Sequence, residues 1–277
     1  MKKIITLGNG FIAHHLPYEI STYRIFNQDS IINCFDYYKP DMVVNTIGFC
    51  GSPNIDQCEI EKTKTYTANV VVPLIIAKEC EKRGIHHVMI GSGCIFSGKS
   101  PNVVDGKDEG WNESDFANPQ SYYSKTKYAC DLAIGDCKNT TILRIRMPIS
   151  KKSHPRNLVN KLLKYDEIID IQNSVTFMDD LVRCVKWTID NSKTGIYHMT
   201  NPGTLSATEI MFSLNAVNKQ YKHSFTVIGE KELGRLVKAK RSNCILNSNK
   251  LINSGFEMDS AKNLIDSYMK EYITNEH

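Results

Sequence analysis

The stretch Ile4-Ile5-Thr6-Leu7-Gly8-Asn9-Gly10-Phe11-Ile12-Ala13 decides the fold. A short apolar, β-branched run reads as a buried strand, and the glycines after it read as a turn opening into a helix. Gly8 permits the tight turn, Gly10 lets the backbone approach a pyrophosphate, and Ala13 stands in for the third glycine of a dinucleotide fingerprint. Phe11 and Ile12 belong to the same cofactor loop, and the helix N-terminus favours the negative charge. Pro17 limits this first helix to about two turns.

Working outward, further β-branched runs at residues 42–44, 88–90 and 142–145 read as buried parallel strands, with helices between them at 60–83 and 119–135. The class is α/β, with a Rossmann-type doubly wound parallel sheet over residues 1–150. After Met147-Pro148 the texture changes, with helices expected at 157–165 and 179–190 and a strand at 196–200 before Asn201-Pro202-Gly203. Residues 151–277 read mainly as a smaller C-terminal substrate-binding lobe, some of whose segments return to the sheet.

The chain has 277 residues, with 34 Lys and Arg against 30 Asp and Glu. A net charge of +4, spread along the chain, argues against nucleic-acid binding. Local basic groups at Lys151, Lys152 and Arg156 and at Lys238, Lys240 and Arg241 read as a solvated face, or as contacts to an anionic nucleotide sugar. Nine cysteines include no Cys-x-x-Cys pair and no histidine at zinc spacing, so no metal site is expected and a reduced, cytoplasmic protein is. No apolar run approaches the ~18 residues of a membrane span.

Tyr123 and Lys127 are four residues apart on an expected helix, so both fall on one face. A lysine ammonium near the phenol would stabilise the phenolate and lower its pKa, suiting Tyr123 to pass a proton to a carbonyl oxygen as hydride arrives. Ser92, in Gly91-Ser92-Gly93-Cys94-Ile95-Phe96 after a strand, supplies a hydroxyl for the same oxygen. An acidic residue ending the second strand would grip the ribose of NAD; the region offers Arg24 instead, which favours NADPH, with NADH as the second choice. Arg24 also reads as a surface loop residue.

These residues resemble the extended short-chain dehydrogenase/reductases, whose catalytic Ser/Thr, Tyr and Lys would be Ser92, Tyr123 and Lys127. The stretches GSPNIDQCE (51–59), GCIF (93–96), YYSKTK (122–127), LRIRMPIS (143–150), HPRNLVNK (154–161), TNPG (200–203) and KRSN (240–243) are similar to the epimerase/reductases that complete UDP-rhamnose synthesis. That resemblance implies NADPH and a UDP-4-keto-6-deoxyhexose as partners, supplied by a nucleotide-sugar 4,6-dehydratase, and a homodimer. It also implies that Asn45, Gly48 and Met147 join the cofactor contacts. Asn157, Arg156, Arg241 and Asn243 are expected to join Ser92 in the substrate site.

In that family a cysteine two residues after the catalytic Ser/Thr takes part in epimerisation, and Cys94 matches it; a lysine acts as partner acid/base, and Lys161 matches it. Inverting a carbon beside a ketone needs one group on each face, and both need tuned environments. From the residues alone, Cys94 reads as a buried small apolar group and Lys161 as an exposed one. Ser52 and Gln57 replace the Arg and Trp of the plant enzymes, which leaves room for a 2-acetamido sugar in place of the glucose-derived one. The chain is also similar to dTDP-4-dehydrorhamnose reductase, which would make it a 4-reductase only. A similarity to the regulatory subunit of methionine adenosyltransferase would instead make it a non-catalytic binding subunit.

Overall fold

The computed structural model describes residues 2–218 and 222–276. Six parallel strands form the central sheet: β1 (Ile4–Leu7), β2 (Glu19–Ile20), β3 (Met42–Asn45), β4 (His86–Ser92), β5 (Thr140–Ile145) and β6 (Gly195–His198). Their spatial order is β6-β5-β4-β3-β1-β2, with Ile5 beside Val43, Val43 beside His87, Val88 beside Thr141 and Ile142 beside Ile196. The chain leaves β1 toward β2 on one side and continues through β3 on the other. The crevice beyond the carboxyl ends of β1 and β3 is therefore the topological switch point where such sheets bind ligands.

Alternation along the strands divides the core. Ile5, Leu7 and Val43 pack under α1 (Gln28–Tyr38) and α2 (Val72–Arg83) through Ile31, Cys34, Phe35, Ile76 and Cys80. Met89 and Ile142 continue that face beneath α3 (Tyr122–Ile134). Val44, Val88, Ile90, Leu143 and Ile145 point the other way, onto Leu181, Cys184, Val185 and Ile189 of α4 (Met178–Asp190). Period-two burial on both faces is what a doubly covered sheet requires.

A second core holds the C-terminal lobe, where α5 (Ala207–Val217), α6 (Ala261–Glu276) and the short helix Leu158–Leu162 enclose Ile149, Phe177, Met211, Leu214, Met269 and Tyr272. The strand pairs Pro148–Ile149 with Thr176–Phe177 and Glu167–Ile169 with Thr226–Ile228 brace it. Among the described residues, no helix is long and apolar enough to cross a membrane.

Two expectations are corrected. The first helix is a single 3-10 turn, Ala13–His15, closed by the Leu16 N–H on the Ala13 carbonyl at 3.2 Å, so it has far less macrodipole than two α-turns would give. The segment at 60–83 is not one helix: Lys62–Tyr66, a π-helical turn at Thr67–Val71 and α2 follow one another, and Pro73 opens α2 where a missing N–H is tolerated.

Under α3, Arg144 Nε donates to Asp131 Oδ2 at 2.8 Å with both side chains buried. Burial pushes the Asp131 carboxyl up, against the opposing pull of Arg144 and Lys127. Replacing Asp131 by Ala strands a buried guanidinium, and the expected cost is about 3–5 kcal/mol of unfolding free energy. Urea titration reads it directly; an unchanged midpoint at unchanged slope would show that the pair contributes nothing.

Candidate active site

Ser92 ends β4 and is almost fully buried, with its Oγ accepting the Cys94 N–H at 3.2 Å across the Gly93–Ile95 turn. This places the hydroxyl and the thiol at the carboxyl end of the sheet. The start of α3 is fixed twice: Ser121 Oγ accepts the Ser124 N–H at 3.1 Å, and Glu59 accepts the Tyr122 N–H at 2.7 Å. Asn69, fully buried in the π-helical turn, donates to Thr126 Oγ1 at 3.1 Å and to the Phe49 carbonyl at 2.9 Å, and accepts the Phe49 N–H at 2.7 Å. The Phe49–Cys50–Gly51 loop is thereby tied to the helix that carries Tyr123 and Lys127. Neither Glu59 nor Asn69 stands out in the sequence, because the π-helical turn that aims Asn69 has no periodic signature.

Cys94 lies close to both Tyr123 and Lys161, and Ser92 hydrogen-bonds Tyr123. Burial pushes the Tyr123 phenol well up, the nearby Cys50 and Cys94 thiols add to it, and the Ser92 hydroxyl pulls it back. Burial pulls the Lys161 amine down; Cys50 and Cys94 oppose this, while Arg156 and Arg241 reinforce it. Tyr123 and Lys161 thus share two thiols, Cys94 and Cys50, although the sequence alone leaves Cys50 among the core or surface cysteines. Lys161 is partly buried, not exposed. The expectation that Lys127 lowers the Tyr123 pKa is corrected: the phenol is raised, and the buried Lys127 Nζ donates to the Ile90 carbonyl at 3.3 Å.

The switch-point crevice fits a dinucleotide. Gly8 has φ +100°, and a Cβ there would meet Thr46 Oγ1 at 2.6 Å, whereas a Cβ on Gly10 would meet no described atom within 4 Å. Asn45, fully buried at the end of β3, accepts the Ile47 N–H at 3.0 Å and leaves its Nδ2 without a partner. That orphaned donor is what a bound ligand would satisfy. Gly48 is exposed nearby, Ile12 is partly buried, and Phe11 is buried with its ring stacked on His154 at 4.8 Å. Met147, partly buried, adopts φ +43° just beyond β5. Arg24 is exposed and lies beyond the two-residue β2, not at its end.

The expected substrate contacts divide. Asn157 is corrected to a structural role: fully buried, it caps the helix Leu158–Leu162, accepts from Ser150 N and Val159 N, and donates to the Ser150 and Lys152 carbonyls. Arg241 pairs with Asp56 at 2.7 Å, and Asn243 donates to Glu230 at 2.9 Å. Burial raises the Asp56 carboxyl, yet the Arg241 and backbone hydrogen bonds hold it below its ordinary value overall. Arg156 donates to the Gly51 carbonyl at 2.6 Å, joining the segment before the helix Leu158–Leu162 to the loop before Ser52.

The parallel sheet, its switch-point glycines and the Ser92, Tyr123 and Lys127 set together define an enzyme of the extended short-chain dehydrogenase/reductase class. Within that class the chain belongs to the RmlD substrate binding domain family, which it matches over residues 9–273. It is 32% identical over 269 residues to a bifunctional dTDP-4-dehydrorhamnose 3,5-epimerase/dTDP-4-dehydrorhamnose reductase of Arabidopsis thaliana, covering 96% of this chain and 88% of that one. A trifunctional UDP-glucose 4,6-dehydratase/UDP-4-keto-6-deoxy-D-glucose 3,5-epimerase/UDP-4-keto-L-rhamnose-reductase of the same plant is 33% identical over 257 residues, 91% of this chain but 38% of that longer protein. The crystal structure of a UDP-rhamnose synthase from Acanthamoeba polyphaga mimivirus superposes with a TM-score of 0.90 at 27% identity, covering 98% of this chain and 99% of the other. The resemblance read from the motifs is borne out.

Proposed function

We propose that this protein converts a UDP-4-keto-6-deoxyhexose to an L-rhamnose-type sugar, inverting carbon 3, with carbon 5 as a second centre, and then reducing the 4-keto group. The observation that carries this reading is that Tyr123 and Lys161 both interact with the Cys94 and Cys50 thiols, which sets two further proton-transfer groups beside the reducing trio. A reductase alone has no use for the second pair.

The ketone acidifies the neighbouring C–H bonds. Cys94 and Lys161 act from opposite faces of the sugar, one removing the proton and the other returning one; burial pulls the Lys161 amine down, which eases loss of its proton. Ser92 and Tyr123 hold the enolate oxygen. Gly8, Gly10, Asn45 and Lys127 are the residues that would hold NADPH, and when bound it supplies the hydride to carbon 4. Tyr123 gives the proton. Arg156 and Arg241, whose charges both reach Lys161, form a basic edge suited to the UDP diphosphate. The substrate is the product of a 4,6-dehydratase acting on the parent UDP-sugar, in keeping with the dehydratase activity in the name of the longer plant relative.

Incubation with NADPH in deuterated water, with the dehydratase products of UDP-glucose and of UDP-N-acetylglucosamine offered separately, tests the reading by NMR. Deuterium at carbon 3 and turnover of the glucose-derived ketone are expected. Turnover of only the acetamido sugar would reassign the substrate, and no turnover of either would sink the proposal. Cys94→Ala is expected to abolish deuterium incorporation while sparing reduction of an already epimerised ketone; unchanged exchange removes Cys94 from the reaction.

A further inference from the structure

We propose that Arg146 is a positioning residue for the proton-transfer step, its buried guanidinium fixing the Cys94 sulfur and stabilising negative charge that develops on it. The proposal rests on the epimerase reading above. Arg146 is 1% exposed, among the largest fully buried side chains of the protein. Its Nη1 donates to Ser242 Oγ at 2.9 Å and to Cys94 Sγ at 3.6 Å; its Nη2 donates to the Ser242 carbonyl at 2.5 Å and to Asn173 Oδ1. Its Nε has no partner. Among the described residues it forms no ion pair with a carboxylate, whereas Arg144, two residues earlier, is neutralised by Asp131.

A fully buried guanidinium whose oxygen partners are all neutral is an unbalanced charge, and burying one costs several kcal/mol unless an anion answers it. The ionisable group in hydrogen-bond contact with it is the Cys94 thiol. Thiols set against Arg, Lys or protonated His are the ones that ionise near neutral pH. The other groups around this sulfur are Tyr123 on α3, Lys161 on the helix Leu158–Leu162 and Cys244 on the C-terminal segment. Cys244 is buried and its thiol donates to the Gly93 carbonyl at 3.7 Å. Cys94 is partly exposed and near Tyr123 and Lys161, so it is the sulfur placed to meet the sugar.

The cradle also limits where the thiol points. Ser242 Oγ donates to the Phe96 carbonyl, leaving its lone pairs for Arg146, and Asn173 Oδ1 accepts the Cys244 N–H at 3.0 Å as well. Two segments distant in sequence, at Asn173 and Ser242, thus hold one guanidinium against one sulfur.

The test is the rate of Cys94 alkylation by iodoacetamide at pH 7, quantified on the Cys94 peptide by mass spectrometry in wild type, Arg146→Lys and Arg146→Gln. Arg146→Gln should slow alkylation at pH 7 about tenfold, and Arg146→Lys should restore most of the rate. In wild type Cys94 should react faster than Cys137, which is likewise partly exposed. A Gln rate within about twofold of wild type overturns the proposal, as does, even if Arg146→Gln does not fold, a wild-type Cys94 that reacts no faster than Cys137. Alkylation needs neither substrate nor cofactor, so its failure is distinguishable from failure of the epimerase reading, which the Cys94→Ala exchange experiment tests.

Discussion

Tyr123→Phe is expected to slow reduction of the 4-keto sugar by about 10²–10⁴-fold, the usual worth of a positioned general acid. The ring stays and only the hydroxyl goes, so packing at the start of α3 should be intact and the melting temperature close to wild type. The direction of the phenol's shift bears on the mechanism. Burial and three neighbouring thiols push it up, so before cofactor binds Tyr123 is a protonated donor at neutral pH. A donor is what carbon 4 needs when hydride makes an alkoxide there. Single-turnover oxidation of NADPH with the pre-epimerised ketone isolates this step. Because the same hydroxyl is proposed to hold the enolate, deuterium exchange at carbon 3 should fall too; full exchange with lost reduction would confine Tyr123 to the second reaction. A rate within threefold of wild type removes Tyr123 as the proton donor.

Much of the sheet is legible in the sequence, because a strand buried on both faces needs an uninterrupted apolar run. Residues 4–7, 42–44, 88–90 and 142–145 all lie within observed strands. The edge strand Glu19–Ile20 is not, since two residues leave no period to read. Helices α5 and α6 also escape a sequence reading: they bury one stripe against each other and the lobe core, and their other faces are polar enough to pass for loop. In the site, Ser92, Cys94, Tyr123 and Lys127 are legible because they sit at short spacings on single elements. Arg146 lies within LRIRMPIS, yet the motif gives it no role, because its meaning depends on Ser242 and Asn173, which are distant in sequence. Asn157 is misread from its motif because a side chain that caps a helix and one that meets a sugar look alike there.

Acidification is expected to destabilise the fold steeply below pH 6.5, through His87 and His198. Both are fully buried, and burial pulls each imidazole down to about 3; Arg144 adds to the effect at His198. His198 Nε2 lies 3.2 Å from Arg144 Nη1, which can only donate, so Nε2 accepts and the ring proton sits on Nδ1, facing the Asn247 carbonyl at 3.1 Å. A second proton would have to enter between imidazole and guanidinium. His87 contacts Thr140 Oγ1 at 3.3 Å through Nδ1 and has no partner at Nε2. Between pH 6.5 and about 3 the unfolded chain binds protons that the folded chain refuses, so stability falls as pH falls. At 1.36 kcal/mol per pH unit, each histidine withdraws about 2 kcal/mol by pH 5. Asp131 and Glu113, whose carboxyls burial pushes up, act in the opposite sense, so the histidine share is read by difference. His198→Gln retains an acceptor for Arg144 and a donor for Asn247, and His87→Gln retains a contact to Thr140. Each variant should flatten the dependence of unfolding free energy on pH between 6.5 and 5 by about one proton per molecule. A slope equal to wild type in both would mean that the imidazoles are protonated in the folded state.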